Sequence, residues 1–181
     1  MILKSYVSLH LTNCVKYYLK NMNNFRIGFG YDVHQLHEGL DFWLGGIKLE
    51  HEKGALGHSD ADVLIHVICD ALLGAANMRD IGYHFSDKDP KYRGIDSKIL
   101  LREVMKLIRD AGYEVGNIDT TVCLQVPKVN PHIPAIKTCL SEVMGVEEGA
   151  ISVKATTTEK LGFVGREEGV SAYCVALIYK K

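Results

Sequence analysis

A chain of 181 residues, 47% hydrophobic and 24% charged, is sized for one domain that buries most of its apolar surface. Its 21 basic and 22 acidic residues give a formal charge of -1, so no global positive field exists to hold nucleic acid, and no apolar run approaches the ~20 residues of a membrane-spanning helix. The cysteines, Cys14, Cys69, Cys123, Cys139 and Cys174, are odd in number, widely spaced and never in a C-x-x-C pair, which argues against a disulfide framework or a cysteine zinc site.

Residues 1–24 carry three lysines and no acid, and mix in Ser, Thr, Asn and Tyr. Such a composition resembles an organelle transit peptide; the alternatives are a short native extension or a start site upstream of the true one. A domain over residues 25–181 follows. Residues 26–33 and 42–49 read as strands joined by a polar turn around His37-Glu38-Gly39, which predicts a hairpin, and Gly45-Gly46 marks a bulge or close backbone approach. Asp60 or Ser59 is placed to cap a helix over 61–76, whose apolar stripe is Val63, Leu64, Val67, Ile68, Ala71 and Leu72, with His66 and Asp70 on the other side. A second helix over 97–111 has Leu100, Leu101, Val104, Leu107 and Ile108 at helical spacing and stops at Gly112. Residues 117–127, rich in β-branched side chains, predict a strand; Pro131 and Pro134 then open a third helix that ends near Gly145. Strands at 151–157 and 170–179 flank a glycine-punctuated loop. The order β-β-α-α-β-α-β-β predicts an α+β fold: a single-domain two-layer sandwich with helices on one face of a mixed or antiparallel sheet.

Chemistry gathers near the start of this domain, in Asp32-Val33-His34, His58-Ser59-Asp60-Ala61-Asp62 and His66. Strand alternation puts Asp32 and His34 on one face, and Asp62, His66 and Asp70 recur at helical spacing. A lone histidine usually caps a turn or sits on a polar surface, but the cluster reads as a metal site. Asp32, His34 and His66 offer two imidazole nitrogens and a carboxylate oxygen, which suit zinc or a similar divalent ion and leave one position open for water or substrate. Asp62 and Asp70, one turn to either side, are placed as acceptors that fix the tautomer of His66. Residues 81–90 form a polar segment long enough for a lid, or a plain surface connection. Lys154, Thr156, Thr157, Thr158, Glu159 and Lys160 suit phosphate oxygens and a second, oxygen-loving cation, although a threonine run is also a good strand former. No P-loop is present, and Gly28-Phe29-Gly30 lacks the third glycine of a dinucleotide fingerprint.

Taken together, RIGFGYDVH, GHSDADVLIH, DALLGAANMRDIGYHFSD, PKVNPHIP and VKATTTEKLGFVGREEG closely resemble the 2-C-methyl-D-erythritol 2,4-cyclodiphosphate synthase family, zinc enzymes of the non-mevalonate isoprenoid pathway. The resemblance runs from about Phe25 to the C-terminus. It implies a homotrimer with active sites at subunit interfaces, converting 4-diphosphocytidyl-2-C-methyl-D-erythritol 2-phosphate to the cyclic diphosphate and CMP as a phosphorus-oxygen lyase. By the same resemblance, Asp32, His34 and His66 bind Zn2+ or another divalent ion, and Glu159 binds Mg2+ or Mn2+. His58 and Thr157 match positions that stabilise the transition state, with Ser59 contacting substrate.

The resemblance also places Asp80, Ile81 and Gly82, with Phe85, Ser86, Asp87, Lys88 and Asp89, at the methylerythritol phosphate end of the substrate. Leu124, Gln125, Val126, Pro127, Lys128, Val129 and Asn130, with Thr156, Thr157, Thr158 and Glu159, would hold the cytidine and its phosphates from a neighbouring subunit. Phe163 and Arg166 match positions near the threefold axis, where a ring of arginines would bind an isoprenoid diphosphate. Phe29, Ser86, Lys88 and Val164 depart from the family pattern beside the ligands rather than at them. A transit peptide would send the chain to a plastid-type organelle; without one it is cytoplasmic. Two other readings use the same residues: a metal-dependent phosphohydrolase with water as nucleophile, and a non-enzymatic trimer that binds isoprenoid diphosphates through Phe163 and Arg166.

Overall fold

The computed structural model describes residues 24–181, so the leader expected at 1–24 lies outside the described residues, Asn24 apart. The elements are β1 (Phe25–Glu38), β2 (Phe42–Leu44), β3 (Ile47–Leu49), β4 (Lys53–Leu56), α1 (Val63–Ala75), α2 (Ile81–His84), α3 (Ser97–Asp110), β5 (Tyr113–Cys123), α4 (Ile133–Met144), β6 (Ile151–Thr156), α5 (Gly162–Gly165) and β7 (Gly169–Lys180). Five strands form a mixed sheet in the order β4-β1-β7-β5-β6, in which β5 and β6 are parallel and the other neighbours antiparallel. The fold is thus a single-domain α+β layer of helices on a mixed sheet.

The hairpin expected between residues 26–33 and 42–49 does not form. β1 instead continues to Glu38 and pairs with the last strand, from Phe25 opposite Tyr179 to Gln35 opposite Gly169. Residues 42–49 fold back on themselves as β2 and β3, because Gly45 and Gly46 both have positive φ, at 62° and 82°, as a tight two-residue turn demands. The strand expected at 117–127 starts earlier and stops at Cys123: its first residues lie across a bulge between Val115 and Asn117, and beyond Cys123 the chain approaches Pro127, which has no N–H to give a ladder.

α1 is apolar on almost every side, with Val63, Leu64, Ile65, Val67, Ile68, Cys69, Ala71, Leu72 and Leu73 fully buried. Its close seat on β1 needs two glycines. A Cβ on Gly28 would strike the Ala71 carbonyl oxygen, and one on Gly30 the Val67 carbonyl oxygen, so helix and strand meet backbone to backbone. Among the described residues, the other sheet face carries no helix and exposes Ile27, Phe29, Tyr31, Val33, Tyr173 and Val175, with Ile27 at 69% and Phe29 at 62%. Among the described residues, no helix is long and apolar enough to cross a membrane.

Candidate metal centre

β1 turns Asp32 and His34 toward the helix layer, and the backbone contact at Gly30 brings α1 close enough to deliver His66 between them. The register of α1 is set by Asp62 rather than by Asp60 or Ser59. Asp62 is its N-cap: fully buried, it accepts from Ile65 N at 3.0 Å, Gly45 N at 2.9 Å and Gly46 N at 2.6 Å, tying the helix start to the β2–β3 turn. Ala61, between Asp60 and the capping Asp62, takes a left-handed φ of 56°.

Three ligand atoms converge. Asp32 Oδ2 lies 3.1 Å from His34 Nε2 and 3.0 Å from His66 Nδ1, and the two imidazole nitrogens are 3.1 Å apart. Around a tetrahedral zinc with bonds of about 2.0 Å, neighbouring ligand atoms stand about 3.3 Å apart, so this donor set fits a divalent cation with little movement. The side chains are only 12–26% exposed, yet they face a cavity, which leaves one side of the triad open. Burial pushes the Asp32 carboxyl up, but hydrogen bonds from His34 and His66 outweigh it and hold the group well below the usual carboxylate range. Burial disfavours the His66 cation, and the Asp32 carboxylate more than reverses that.

The cavity, of about 350 Å³, is lined by Asp32, His34, His58, Ser59, His66, Asp70, Ile81, Gly82, Phe85 and Asp87, together with Tyr92, Ile95 and Leu100. It therefore gathers the triad, the His58-Ser59 pair and part of the segment over 81–90. That segment is not a bare loop. Asp80 caps α2 by accepting from Tyr83 N at 2.8 Å, Ser86 accepts from Lys88 N at 3.2 Å, and Asp89 accepts from Lys91 N at 3.0 Å at a short turn of 3-10 helix, so these three side chains are spent on the segment's own backbone while Asp87 lines the cavity.

Asp62 and Asp70 do not stand behind His66 as expected. Asp62 is occupied by its cap, and Asp70 Oδ1 accepts from Ile81 N at 2.8 Å, anchoring the start of α2 to α1. What meets His66 Nε2 is Ser97 Oγ at 3.0 Å and Ser59 Oγ at 3.1 Å. Ser97, Tyr92, Ile95 and Leu100 carry no signal in their own neighbourhood of the sequence; only the docking of α3 beside α1 brings them in.

A second cavity, of about 360 Å³, is lined by Leu124, Pro127, Lys128, Val129, Asn130, Pro131, Ala155, Thr156 and Thr157. Nearby, Thr157 Oγ1 donates to Glu159 Oε1 at 3.1 Å, Thr158 Oγ1 donates to Leu161 O at 2.6 Å, and Gln125 Oε1 accepts from Lys160 N at 3.4 Å. Neither Thr157 nor Glu159 lines the cavity of the triad. Val126 lines neither cavity. Phe163 and Glu168 border a third opening beside Val33 and His34, while Arg166 is exposed and paired to Glu168 through two contacts of 2.9 Å.

The YgbB family model matches residues 25–179. Over 154 residues, 85% of this chain and 95% of the relative, the sequence is 68% identical to the 2-C-methyl-D-erythritol 2,4-cyclodiphosphate synthase of Porphyromonas gingivalis. Among solved structures, the bifunctional IspDF of Campylobacter jejuni is similar with a TM-score of 0.84 and 38% identity; the match covers 87% of this chain and 42% of that one. The IspF of Plasmodium falciparum, solved as a CDP complex, gives a TM-score of 0.77 at 38% identity over 88% of this chain and 98% of its own.

Proposed function

The chain belongs to the YgbB family, and from that premise we infer that it converts 4-diphosphocytidyl-2-C-methyl-D-erythritol 2-phosphate to 2-C-methyl-D-erythritol 2,4-cyclodiphosphate and CMP, a lyase step of isoprenoid precursor synthesis. The observation that carries the reading is the convergence of Asp32, His34 and His66 within 3.1 Å on the wall of one cavity.

Those three residues would hold zinc or another divalent ion, which when bound supplies Lewis-acid charge to diphosphate oxygens. The substrate brings its own nucleophile. An oxygen of the 2-phosphate attacks the β-phosphorus, and CMP leaves with the electron pair of the bridging bond, so the chain has to position and neutralise more than it has to deprotonate. His58 and Ser59 flank the reacting phosphates. Ile81, Gly82, Phe85 and Asp87 wall the methylerythritol arm, with Asp80, Ser86, Lys88 and Asp89 shaping that wall. Leu124, Pro127, Lys128, Val129, Asn130 and Thr156 hold the cytidine end, as the CDP bound to the Plasmodium falciparum relative supports.

The cytidine half-site and the triad occupy separate cavities within one subunit, which supports a site completed by a neighbour. A homotrimer built on the bare apolar face of the sheet would do this, placing Thr157 and Glu159, with Mg2+ or Mn2+ on Glu159, against the diphosphate. Phe163 and Arg166 would then face the threefold axis, where an isoprenoid diphosphate fits the charge. The Porphyromonas gingivalis and Campylobacter jejuni relatives are bacterial, which favours a cytoplasmic home over a plastid.

The test is product identity. Incubated with zinc, magnesium and the diphosphocytidyl substrate and followed by phosphorus NMR, the protein should release CMP with a cyclic diphosphate. CMP with an open-chain product would make it a phosphohydrolase, and metal binding without turnover would make it a binding protein.

A further inference from the structure

Behind His66 runs a polar chain that the reaction above does not use. Ser97 is fully buried at the first residue of α3; its Oγ lies 3.0 Å from His66 Nε2 on one side and 2.5 Å from Asp60 Oδ1 on the other. Asp60 is itself fixed. Its Oδ2 accepts from Ser97 N at 3.0 Å, its Oδ1 from Asp62 N at 3.2 Å, and its backbone N–H donates to Ile95 O at 3.0 Å. Left-handed Ala61 separates the two acids of the motif, so that Asp60 serves the start of α3 while Asp62 serves the start of α1.

Counting protons gives this chain a direction. A carboxylate only accepts, so the single Ser97 hydroxyl proton goes to Asp60, and Ser97 Oγ meets His66 with lone pairs alone. The facing nitrogen must then be Nε2–H, which in a neutral imidazole leaves the lone pair on Nδ1, the atom that points at Asp32 and His34. Ser59 Oγ, 3.1 Å from the same nitrogen and 3.4 Å from Ser97 Oγ, accepts from Ala61 N and can give its own proton to Ser97, so it does not set the direction. Asp32 alone would favour the opposite outcome, since its carboxylate 3.0 Å from Nδ1 attracts a proton there.

We propose that Asp60 and Ser97 are positioning residues that hold His66 as the Nε2–H tautomer, so that Nδ1 meets a divalent cation unprotonated. The proposal rests on the reading of Asp32, His34 and His66 as a metal site. Ser97→Ala is the sharpest probe, because it removes the lone pairs that face Nε2; Asp60→Asn keeps an oxygen where Ser97 Oγ and Asp62 N both donate but sets its amide nitrogen against Ser97 N, which loosens the anchor of Ser97.

The experiment is zinc affinity of the full-length chain, by competition with a chelating dye, for wild type, His66→Ala, Ser97→Ala, Ser97→Thr and Asp60→Asn, with the melting temperature of each metal-free protein alongside. Ser97→Ala and Asp60→Asn are expected to weaken zinc about 10–100-fold, the effect usual for groups behind a ligand, and Ser97→Thr to restore most of the loss. In zinc-loaded protein labelled with 15N-histidine, the His66 Nε2 proton should exchange slowly in wild type and rapidly in Ser97→Ala. Zinc held equally by Ser97→Ala and wild type, but lost in His66→Ala, would overturn the proposal and leave the metal site standing. Zinc held equally by wild type and His66→Ala would overturn the metal site itself. Affinity losses that merely track melting temperature, with the slow Nε2 proton retained, would also overturn the proposal.

Discussion

Gly30 lies directly against the carbonyl of Val67, the residue after His66, with no room for a side-chain carbon between them. That contact sets how far α1 stands from β1, and so how far His66 stands from Asp32. Gly30→Ala should force the helix outward, costing about 1–3 kcal/mol of stability as an overpacked core site. Zinc content should fall with it. Chemical denaturation and metal analysis on the same sample check both.

Removing the metal should not unfold the domain, because the core around α1 is apolar and complete without it. Chelator treatment is expected to abolish turnover while leaving the far-ultraviolet circular dichroism unchanged, and His66→Ala should behave the same way. Loss of secondary structure on chelation would instead mark the site as structural.

Asp62→Ala should be among the most damaging substitutions outside the site. It removes the cap of α1 and strands the N–H groups of Gly45 and Gly46, for an expected loss of about 3–5 kcal/mol. Denaturant unfolding reads the loss directly.

Burial pushes the Cys174 thiol up to about 12 and holds Cys69 well above its ordinary value, so both stay protonated in the native state. Brief alkylation of the folded protein near pH 8 should modify neither, whereas Cys123 and Cys139, only half-buried, should react before them. Peptide mapping by mass spectrometry distinguishes the four.

Phe29 and Val175 face each other across β1 and β7 on the bare side of the sheet, 62% and 43% exposed. If the homotrimer proposed above forms on this face, replacing both with Glu should leave the domain folded, give monomers by sedimentation, and abolish turnover with zinc still bound. A monomeric wild type with full activity would remove the case for a shared site.

The triad was legible in the sequence because two short-range rules produce it: alternation on a strand pairs Asp32 with His34, and helical periodicity turns His66 away from the apolar stripe. The partner of β1 was not. β7 begins at Gly169, and nothing near Phe25 indicates which distant strand will lie beside it, so the nearest strand in the chain was the wrong choice. Ala61 misled on the helix cap for a different reason, since a left-handed backbone at an ordinary residue leaves no mark in composition. Ser97 joins His66 only after α3 docks, a contact spanning 31 positions.

The near-complete burial of α1 also sets timescales within the molecule. A helix buried along most of its surface is expected to expose its amides to exchange only when the whole domain opens, so His66 should be as persistent as the fold. α2, with no buried residue, is expected to open by itself, which amide exchange would read. On the function proposed above, substrate would enter and leave by local motion of that wall while the triad opposite it stays in place.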